Sequence, residues 1–370
     1  MKIVLTANTS WYLYNFRLQL IKDLLELNHD IYVLAPNDSF TIKLKELNIK
    51  HIPLIISSHG TSIYKDFFLI VQYIYYFLKI RPSIIHNFTI KPVIFGGLAS
   101  KFFKALVINS VPGLGLMFNT VYRNPIWLKK FIIFLYKLSF SKKNKIIFQN
   151  PDDLNFFVSN KISDFNQSYL IKGSGINCKY FNNSRNISNG TVRFGIMSRM
   201  IWSKGIKEFV DASKKIHEKN NNTSFHILGS PPNGNPDKIS IKWLEDLNEK
   251  YKFVHWMPHS DEVYKFLNEI DVFVLPTYYP EGVPKSLLEA ASMGLPIIAS
   301  NTSGCKEIVK NNINGFLVDI KDEVDLFNKM LLLSKKENLR KDMGYNSRKI
   351  AEREFDVSLI NEQTLRIYFD

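Results

Sequence analysis

Cysteine is almost missing from this chain: Cys178 and Cys305 are the only two, far apart and outside any metal-ligand spacing. That excludes a disulfide scaffold and a structural zinc module, and it fits a reducing compartment. Long hydrophobic runs are missing too. The best candidate, Phe67–Leu78, has about half of the roughly 20 apolar residues of a membrane span and is interrupted by Gln72. The chain can therefore lie on a membrane but is not expected to cross one. The opening MKIVLTANTS lacks the regions of a signal peptide and reads as a buried strand. Acidic residues are absent between Asp66 and Asp152, a window that holds twelve Lys and Arg and 18 of the 50 aromatics. No D-x-D motif follows a predicted strand, Asp152-Asp153 opens a helix as capping carboxylates do, and His255-x-x-x-His259 falls on a strand and turn. No catalytic metal is expected.

The chain has 370 residues, which suits two domains, and an ordinary globular balance of 45% hydrophobic and 22% charged residues. Its net charge of +14 is unevenly placed. Residues 1–190 hold 23 Lys and Arg against nine Asp and Glu, whereas 191–370 hold 25 of each. AT-rich codon usage accounts for abundant Lys, Asn, Ile, Phe and Tyr but not for one basic half and one neutral half. The asymmetry leaves a nucleic-acid groove or an anionic membrane surface as partners. No nucleic-acid module is recognisable and the basic residues sit among apolar aromatic segments, so the membrane is favoured and no nucleic-acid partner is expected.

Apolar runs of strand length alternate with amphipathic segments. Strands are expected at Ile3–Ala7, Asp30–Ala35, His51–Ile56, Ser83–Phe88, Leu106–Val111, Lys145–Gln149 and Tyr169–Lys172. A second series runs through Val192–Ser198, Ser224–Leu228, Phe253–Met257, Val272–Leu275, Pro296–Ser300 and Gly315–Val318. Strands dense in Ile, Val and Leu, each followed by a helix, predict parallel sheets covered on both faces. The Asn- and Ser-rich stretch around 182–190 has linker composition. The expectation is an α/β chain of two doubly wound, Rossmann-like domains, 1–187 and 188–355, with a C-terminal helix at 356–370 that can return to the first. Ligands of such sheets bind beyond the carboxyl ends of the strands, here in a cleft between the domains.

The most informative stretch is Pro276-Thr277-Tyr278-Tyr279-Pro280-Glu281-Gly282-Val283-Pro284-Lys285, which follows a buried strand and opens a helix with Pro284 expected at its first position. Unpaired N–H groups at Gly282, Val283 and Lys285 would suit an anionic or hydroxyl-rich ligand. Glu281 and Glu289 stand as E-x7-E; they are followed by Ser303-Gly304-Cys305-Lys306-Glu307 and Asn314-Gly315-Phe316, and preceded by Arg199 and Lys204 in Ser198–Gly205. Spacing alone leaves these residues as a solvated loop acid and surface charges.

Together, however, they resemble glycosyltransferase family 4, retaining sugar-nucleotide transferases of the two-domain GT-B fold. The bacterial subgroup that builds capsule, O-antigen and lipid-linked glycans is the nearest flavour. The resemblance covers roughly 130 residues of the second half and is looser in the first, through Asn15-Phe16-Arg17-Leu18, His86–Pro92 and Gly113-Leu114-Gly115. It implies that Glu289 holds the ribose hydroxyls and that Glu281 contacts the donor sugar, with the Gly282, Val283 and Pro284 backbone beside it. Arg199 and Lys204 correspond to the cationic pair on the donor diphosphate, where fixed positive charge stabilises a departing leaving group. The base is implied near Gly229, Trp256 and Met257. The acceptor is implied near Arg17, Lys91, Gly113 and Gly115. His86 corresponds either to a catalytic histidine or to a structural one at a strand end. Two departures stand out: the first loop, Asn8–Tyr12, has no glycine, and Phe88 occupies the second position of a common His-x-His pattern.

The implied activity is transfer of a hexose or N-acetylhexosamine from a UDP-sugar donor to a polyprenyl-diphosphate-linked acceptor, with retention. It needs no cofactor, takes place in the cytoplasm, and is peripheral on the inner face of the cytoplasmic membrane. A UDP-sugar 2-epimerase of similar architecture and a basic nucleic-acid-binding protein are the alternatives. Free epimerised UDP-sugar would mark the first, and salt-dependent nucleic-acid binding the second.

Overall fold

The computed structural model describes residues 1–56, 63–115, 125–182 and 190–370. It divides into two compact units, Met1–Ser174 with Ser358–Asp370, and Gly175–Val357. The first unit carries a seven-stranded sheet of β1 (Lys2–Thr6), β2 (Asp30–Ala35), β3 (Lys50–Pro53), β4 (Ile84–Phe88), β5 (Leu106–Val111), β6 (Lys145–Phe148) and β7 (Ser168–Leu170). Their order is β3-β2-β1-β4-β5-β6-β7 and every pairing is parallel. Strand alternation divides the core in two. Ile3, Leu5, Ile31 and Ile84 pack against Leu13, Leu20 and Ile21 of the helix Ser10–Glu26. Val4, Leu34 and Ile85 face the other way, onto Tyr73 and Phe77 of the helix Ile63–Ile80.

The second unit repeats the plan with β8 (Val192–Met197), β9 (Thr223–Leu228), β10 (Val254–Met257), β11 (Val272–Leu275), β12 (Ile297–Ser300) and β13 (Gly315–Val318). Here the order is β10-β9-β8-β11-β12-β13, again parallel throughout. One continuous core joins both faces, from Phe194 and Phe225 to Leu287, Leu288 and Met330. In each sheet the order reverses beside the first strand, at β1/β4 and β8/β11, where ligands of doubly wound sheets bind.

The division between the units falls at 174/175 rather than at 187/188. The expected joint lies in residues 183–189, outside the described residues, but the segment before it already belongs to the second unit. Gly175 has φ +76°, and a Cβ there would stand 2.7 Å from the Cα of Val357. Ile176 N–H donates to the Phe355 carbonyl at 2.9 Å and accepts at its own carbonyl from Val357 N–H at 2.9 Å. The Arg348 guanidinium donates to the Cys178 carbonyl at 2.9 Å and the Phe181 carbonyl at 2.5 Å. Composition marks a soluble stretch but not which side of it the packed chain leaves from. The helix Val357–Phe369 packs in the first unit, where Asn361 Nδ2 donates to Asp23 at 2.5 Å and Lys145 Nζ to the Ile367 carbonyl at 2.9 Å.

Candidate functional site

The second unit gathers its predicted residues on loops that leave the carboxyl ends of neighbouring strands. After β8 the chain turns through the 3₁₀ segment Trp202–Lys204 and reverses at Gly205, φ +79°. A Cβ at Gly205 would meet the Pro276 carbonyl oxygen at 2.2 Å, so only glycine lets this turn lie against the loop after β11. Tyr278 N–H donates to the Ser203 carbonyl at 2.9 Å, and the Thr277 hydroxyl donates to it at 3.2 Å. Asp237, buried, takes the Ser203 N–H at 3.0 Å and also the Ser203 hydroxyl.

This clamp brings together residues that are distant in sequence. Lys204 Nζ forms an ion pair with Glu281, the lysine side chain 7% exposed and the glutamate 24%. The Arg199 guanidinium lies 5.2 Å and Lys204 Nζ 5.4 Å from the centre of the Tyr279 ring. Two cations thus stand on one aromatic ring, with a carboxylate paired to the inner one. Glu281 and Gly282 rest on the short helix Ser303–Ile308 that follows β12. A Cβ on Gly304 would come 1.8 Å from the Gly282 carbonyl oxygen and 2.9 Å from that of Glu281.

The helix that follows runs Lys285–Ser292, and Pro284 is its extended cap (φ −63°, ψ 125°) rather than its first residue. The helix therefore begins one residue later than expected. Glu289 lies inside it, buried, with Lys285 Nζ at 3.6 Å. Burial pushes its carboxyl above the ordinary range and Lys285 partly offsets that.

The residues assigned to the base, Gly229, Trp256 and Met257, lie together at the ends of β9 and β10. Gly229 has φ +144° and a Cβ would meet the Ser198 carbonyl oxygen at 1.9 Å, so the backbone runs bare there. Its N–H already donates to the Met257 carbonyl at 3.0 Å, and its carbonyl accepts the Trp256 indole N–H at 2.9 Å. The Trp256 backbone is likewise held by the Asn248 side chain, at 2.6 and 3.1 Å. The Gly229 backbone is thus tied to Met257 and to the Trp256 indole, and the Trp256 backbone to Asn248.

In the first unit, His86 is 1% exposed and both ring nitrogens are taken, Nδ1 by the Tyr368 hydroxyl at 2.6 Å and Nε2 by the Ser110 hydroxyl at 2.7 Å. Burial, then Arg17, drives its pKa well below the ordinary range. Of the two roles open to it, the structure gives it the packing one: the ring ties β4 to β5 and to the C-terminal helix. Arg17 is also buried, 5% exposed, over the Phe88 ring at 4.8 Å. Lys91 is committed to Asp66 at 2.8 Å. Gly113 and Gly115 follow β5 with φ +147° and +73°. Thr89, which sequence reading passed over, ends β4 with φ +69°, a left-handed conformation rare for a β-branched residue, and its hydroxyl accepts the Asn8 N–H at 3.2 Å. Tyr279 and Asp237 were missed as well. Tyr279 had a signal, an aromatic two residues before Glu281; Asp237 and Thr89 had none.

The comparisons decide the family. The "Glycosyl transferases group 1" family matches residues 181–350, and "Glycosyl transferase 4-like" matches residues 2–150. Each half of the chain thus matches a glycosyltransferase family, group 1 or 4-like, and the chain is a glycosyltransferase of GT-B fold. Over its whole length it is 28% identical to the N,N'-diacetylbacillosaminyl-diphospho-undecaprenol alpha-1,3-N-acetylgalactosaminyltransferase of Campylobacter jejuni, 98% of which is covered. It is 26% identical to the capsular polysaccharide biosynthesis glycosyltransferase CapM of Staphylococcus aureus, over 94% of this chain and 92% of CapM. Among solved structures it shares its fold with Anabaena HepE in complex with UDP, at TM-score 0.80 and 16% identity over 99% of each chain. The sucrose-phosphate synthase of Thermosynechococcus elongatus is similar at TM-score 0.82 and 18% identity, covering 100% of this chain and 98% of that one. In this GT-B glycosyltransferase, Arg199 and Lys204 follow β8, Glu281 lies in the loop after β11, and Glu289 lies in the helix beyond that loop.

Proposed function

We propose that this glycosyltransferase moves a hexose or N-acetylhexosamine from a UDP-sugar to a polyprenyl-diphosphate-linked glycan, with retention and without a metal, at the inner face of the cytoplasmic membrane. The observation that carries this reading is the convergence of Arg199, Lys204 and Glu281 around Tyr279. As the glycosidic bond breaks, negative charge grows on the departing diphosphate, and two fixed cations stabilise it without a divalent ion. Glu281 aligns Lys204 and offers its outer oxygen to donor-sugar hydroxyls; Glu289 accepts from the ribose. In front-face substitution the leaving phosphate oxygen takes the acceptor proton, so no protein nucleophile is required. The acceptor class is supported by the Campylobacter relative, whose name specifies a diphospho-undecaprenol substrate.

The deciding experiment is a panel of UDP-sugars with short polyprenyl-diphosphate-linked acceptors, scored for UDP release and for the anomeric configuration of the product. Acceptor-dependent release with an α-linked product is expected, unchanged by a chelator. An inverted product, a strict Mg²⁺ or Mn²⁺ requirement, or epimerised UDP-sugar without acceptor would overturn it.

A further inference from the structure

Asp237 belongs to none of the motifs that carry the family resemblance, yet it holds the turn on which Lys204 stands. β9 ends at Leu228 and the next helix begins at Ile241, so residues 229–240 connect them with no helix or strand of their own. Connections between elements have a median of about 4–6 residues, and longer ones commonly serve a site. The second half of this one runs alongside Met200–Ser203. Ile239 N–H donates to the Met200 carbonyl at 3.0 Å, and Trp202 N–H donates to the Asp237 carbonyl at 3.0 Å. The Asp237 carboxylate takes both donors of Ser203, its N–H at 3.0 Å and its hydroxyl. Asp237 N–H is itself held by Asn235 Oδ1 at 2.8 Å.

Ser203 is fully buried, and its carbonyl accepts the Tyr278 N–H and the Thr277 hydroxyl from the loop after β11. Each of its polar groups is therefore committed, two to Asp237 and one to the loop that carries Glu281. Lys204 follows directly in the chain, so these bonds set where its backbone lies, and its Nζ ends in the ion pair with Glu281.

Charge gives Asp237 a role beyond shape. It is 6% exposed, and among the described residues no lysine or arginine pairs with it. Burying a carboxylate costs free energy, and this one also stands against the residue that precedes a cation of the proposed diphosphate site. A neutral side chain would cap the turn at less cost. The carboxylate adds charge-assisted hydrogen bonds, roughly twice as strong as neutral ones, and so a stiffer turn.

We propose that Asp237 is a positioning residue for sugar transfer: by clamping Ser203 it fixes Lys204 where the departing diphosphate develops its charge. The proposal rests on the role given to Lys204 in the proposed function. The negative charge of Asp237 opposes the diphosphate in the ground state, while its clamp favours the aligned transition state. It therefore acts on UDP affinity and on kcat in opposite directions, which a merely structural residue would not do.

The test is a double-mutant cycle in the full chain, reading UDP affinity by calorimetry and kcat for transfer to a short polyprenyl-diphosphate-linked acceptor. Asp237→Ala should lower kcat about tenfold or more, as misplacing a catalytic group does, while UDP binds equally or more tightly. Asp237→Asn keeps an oxygen for the Ser203 N–H and should recover most of that loss. In a Lys204→Ala background, Asp237→Ala should cost little further, because its target is already gone. If Asp237→Ala loses the parent's circular dichroism, Ser203→Ala, which removes only the hydroxyl donor, enters the cycle in its place with a smaller loss of the same kind. Parent kcat in both Asp237 variants, losses that multiply in the double variant, or UDP affinity falling as far as kcat would overturn the role. Parent kcat in Lys204→Ala would condemn the leaving-group reading and this role with it. An impaired Lys204→Ala beside an unimpaired Asp237→Ala condemns this role alone.

Discussion

Lys204 and Glu281 stand 77 residues apart in the chain and meet in a partly buried ion pair, and their neighbours decide what each can do. Arg199→Ala and Lys204→Ala should each lower kcat by roughly 10²-fold, the scale of removing one electrostatic stabiliser of a transition state. Their losses should not add, because both cations stand over the same Tyr279 ring. Steady-state kinetics on the single and double variants checks both points. Glu281→Gln should keep UDP binding and lose most transfer; transfer at the parent rate would remove Glu281 from the mechanism. Glu289 makes a different prediction, because burial raises its pKa. A carboxyl with a raised folded pKa costs stability when ionised, so Glu289→Gln should leave Tm at neutral pH equal to or above the parent's while weakening UDP. On the proposed ribose role of Glu289, UDP affinity of the parent should begin to fall at a higher pH than an ordinary glutamate would give, as protonation removes a hydrogen-bond acceptor. Titration calorimetry across pH reads this directly.

At the scale of elements, the site is built by contacts that tolerate no side chain. Gly205 lets the turn after β8 touch Pro276, and Gly304 lets the loop of Glu281 settle on the helix after β12. Gly304→Ala forces the Gly282 carbonyl away from a Cβ it would meet at 1.8 Å. The expected result is a folded protein whose transfer rate falls more steeply than its UDP affinity. β4 gives the opposite kind of test. His86 sits neutral between Tyr368 and Ser110, its pKa held down by burial. The unfolded chain gains a proton below about pH 6.5 that the folded one resists, so this histidine contributes stability above that pH and loses it as pH falls. His86→Gln should therefore flatten the acid side of the stability curve measured by urea unfolding. It should leave the pH profile of kcat unmoved; a shifted profile would restore His86 to the chemistry.

For the whole molecule, the charge asymmetry acquires a location. The basic surplus of residues 1–190 is displayed beside outward aromatic stripes on the first unit, whereas the second unit carries the compact cationic site on its own loops. Two copies of one sheet plan have thus been loaded with different surfaces. The plan was legible from alternation: Asp30–Ala35, Leu106–Val111, Val272–Leu275 and Gly315–Val318 appear as strands over the expected residues. The C-terminal helix expected at 356–370 is Val357–Phe369 and belongs to the first unit, while Thr41–Lys45, Val263–Glu269 and Glu337–Glu354 had weaker patterns and were not expected.

The sequence by itself determined what local chemistry and periodicity can write: parallel sheets, from apolar runs alternating with helices; the family, from Glu281, Glu289, Arg199 and Lys204 in their order; and a basic, aromatic, acid-free segment. Tertiary structure decided what depends on through-space neighbours. It moved the division of the units to Gly175, because that backbone pairs with Phe355 and Val357. It tied the Gly229 carbonyl to the Trp256 indole and the Trp256 backbone to the Asn248 side chain, and it enclosed His86. It also turned Phe67, Trp127 and Phe131 outward. An aromatic residue in a helix satisfies the same pattern whether it faces core or lipid, and only the packing of the chain distinguishes the two.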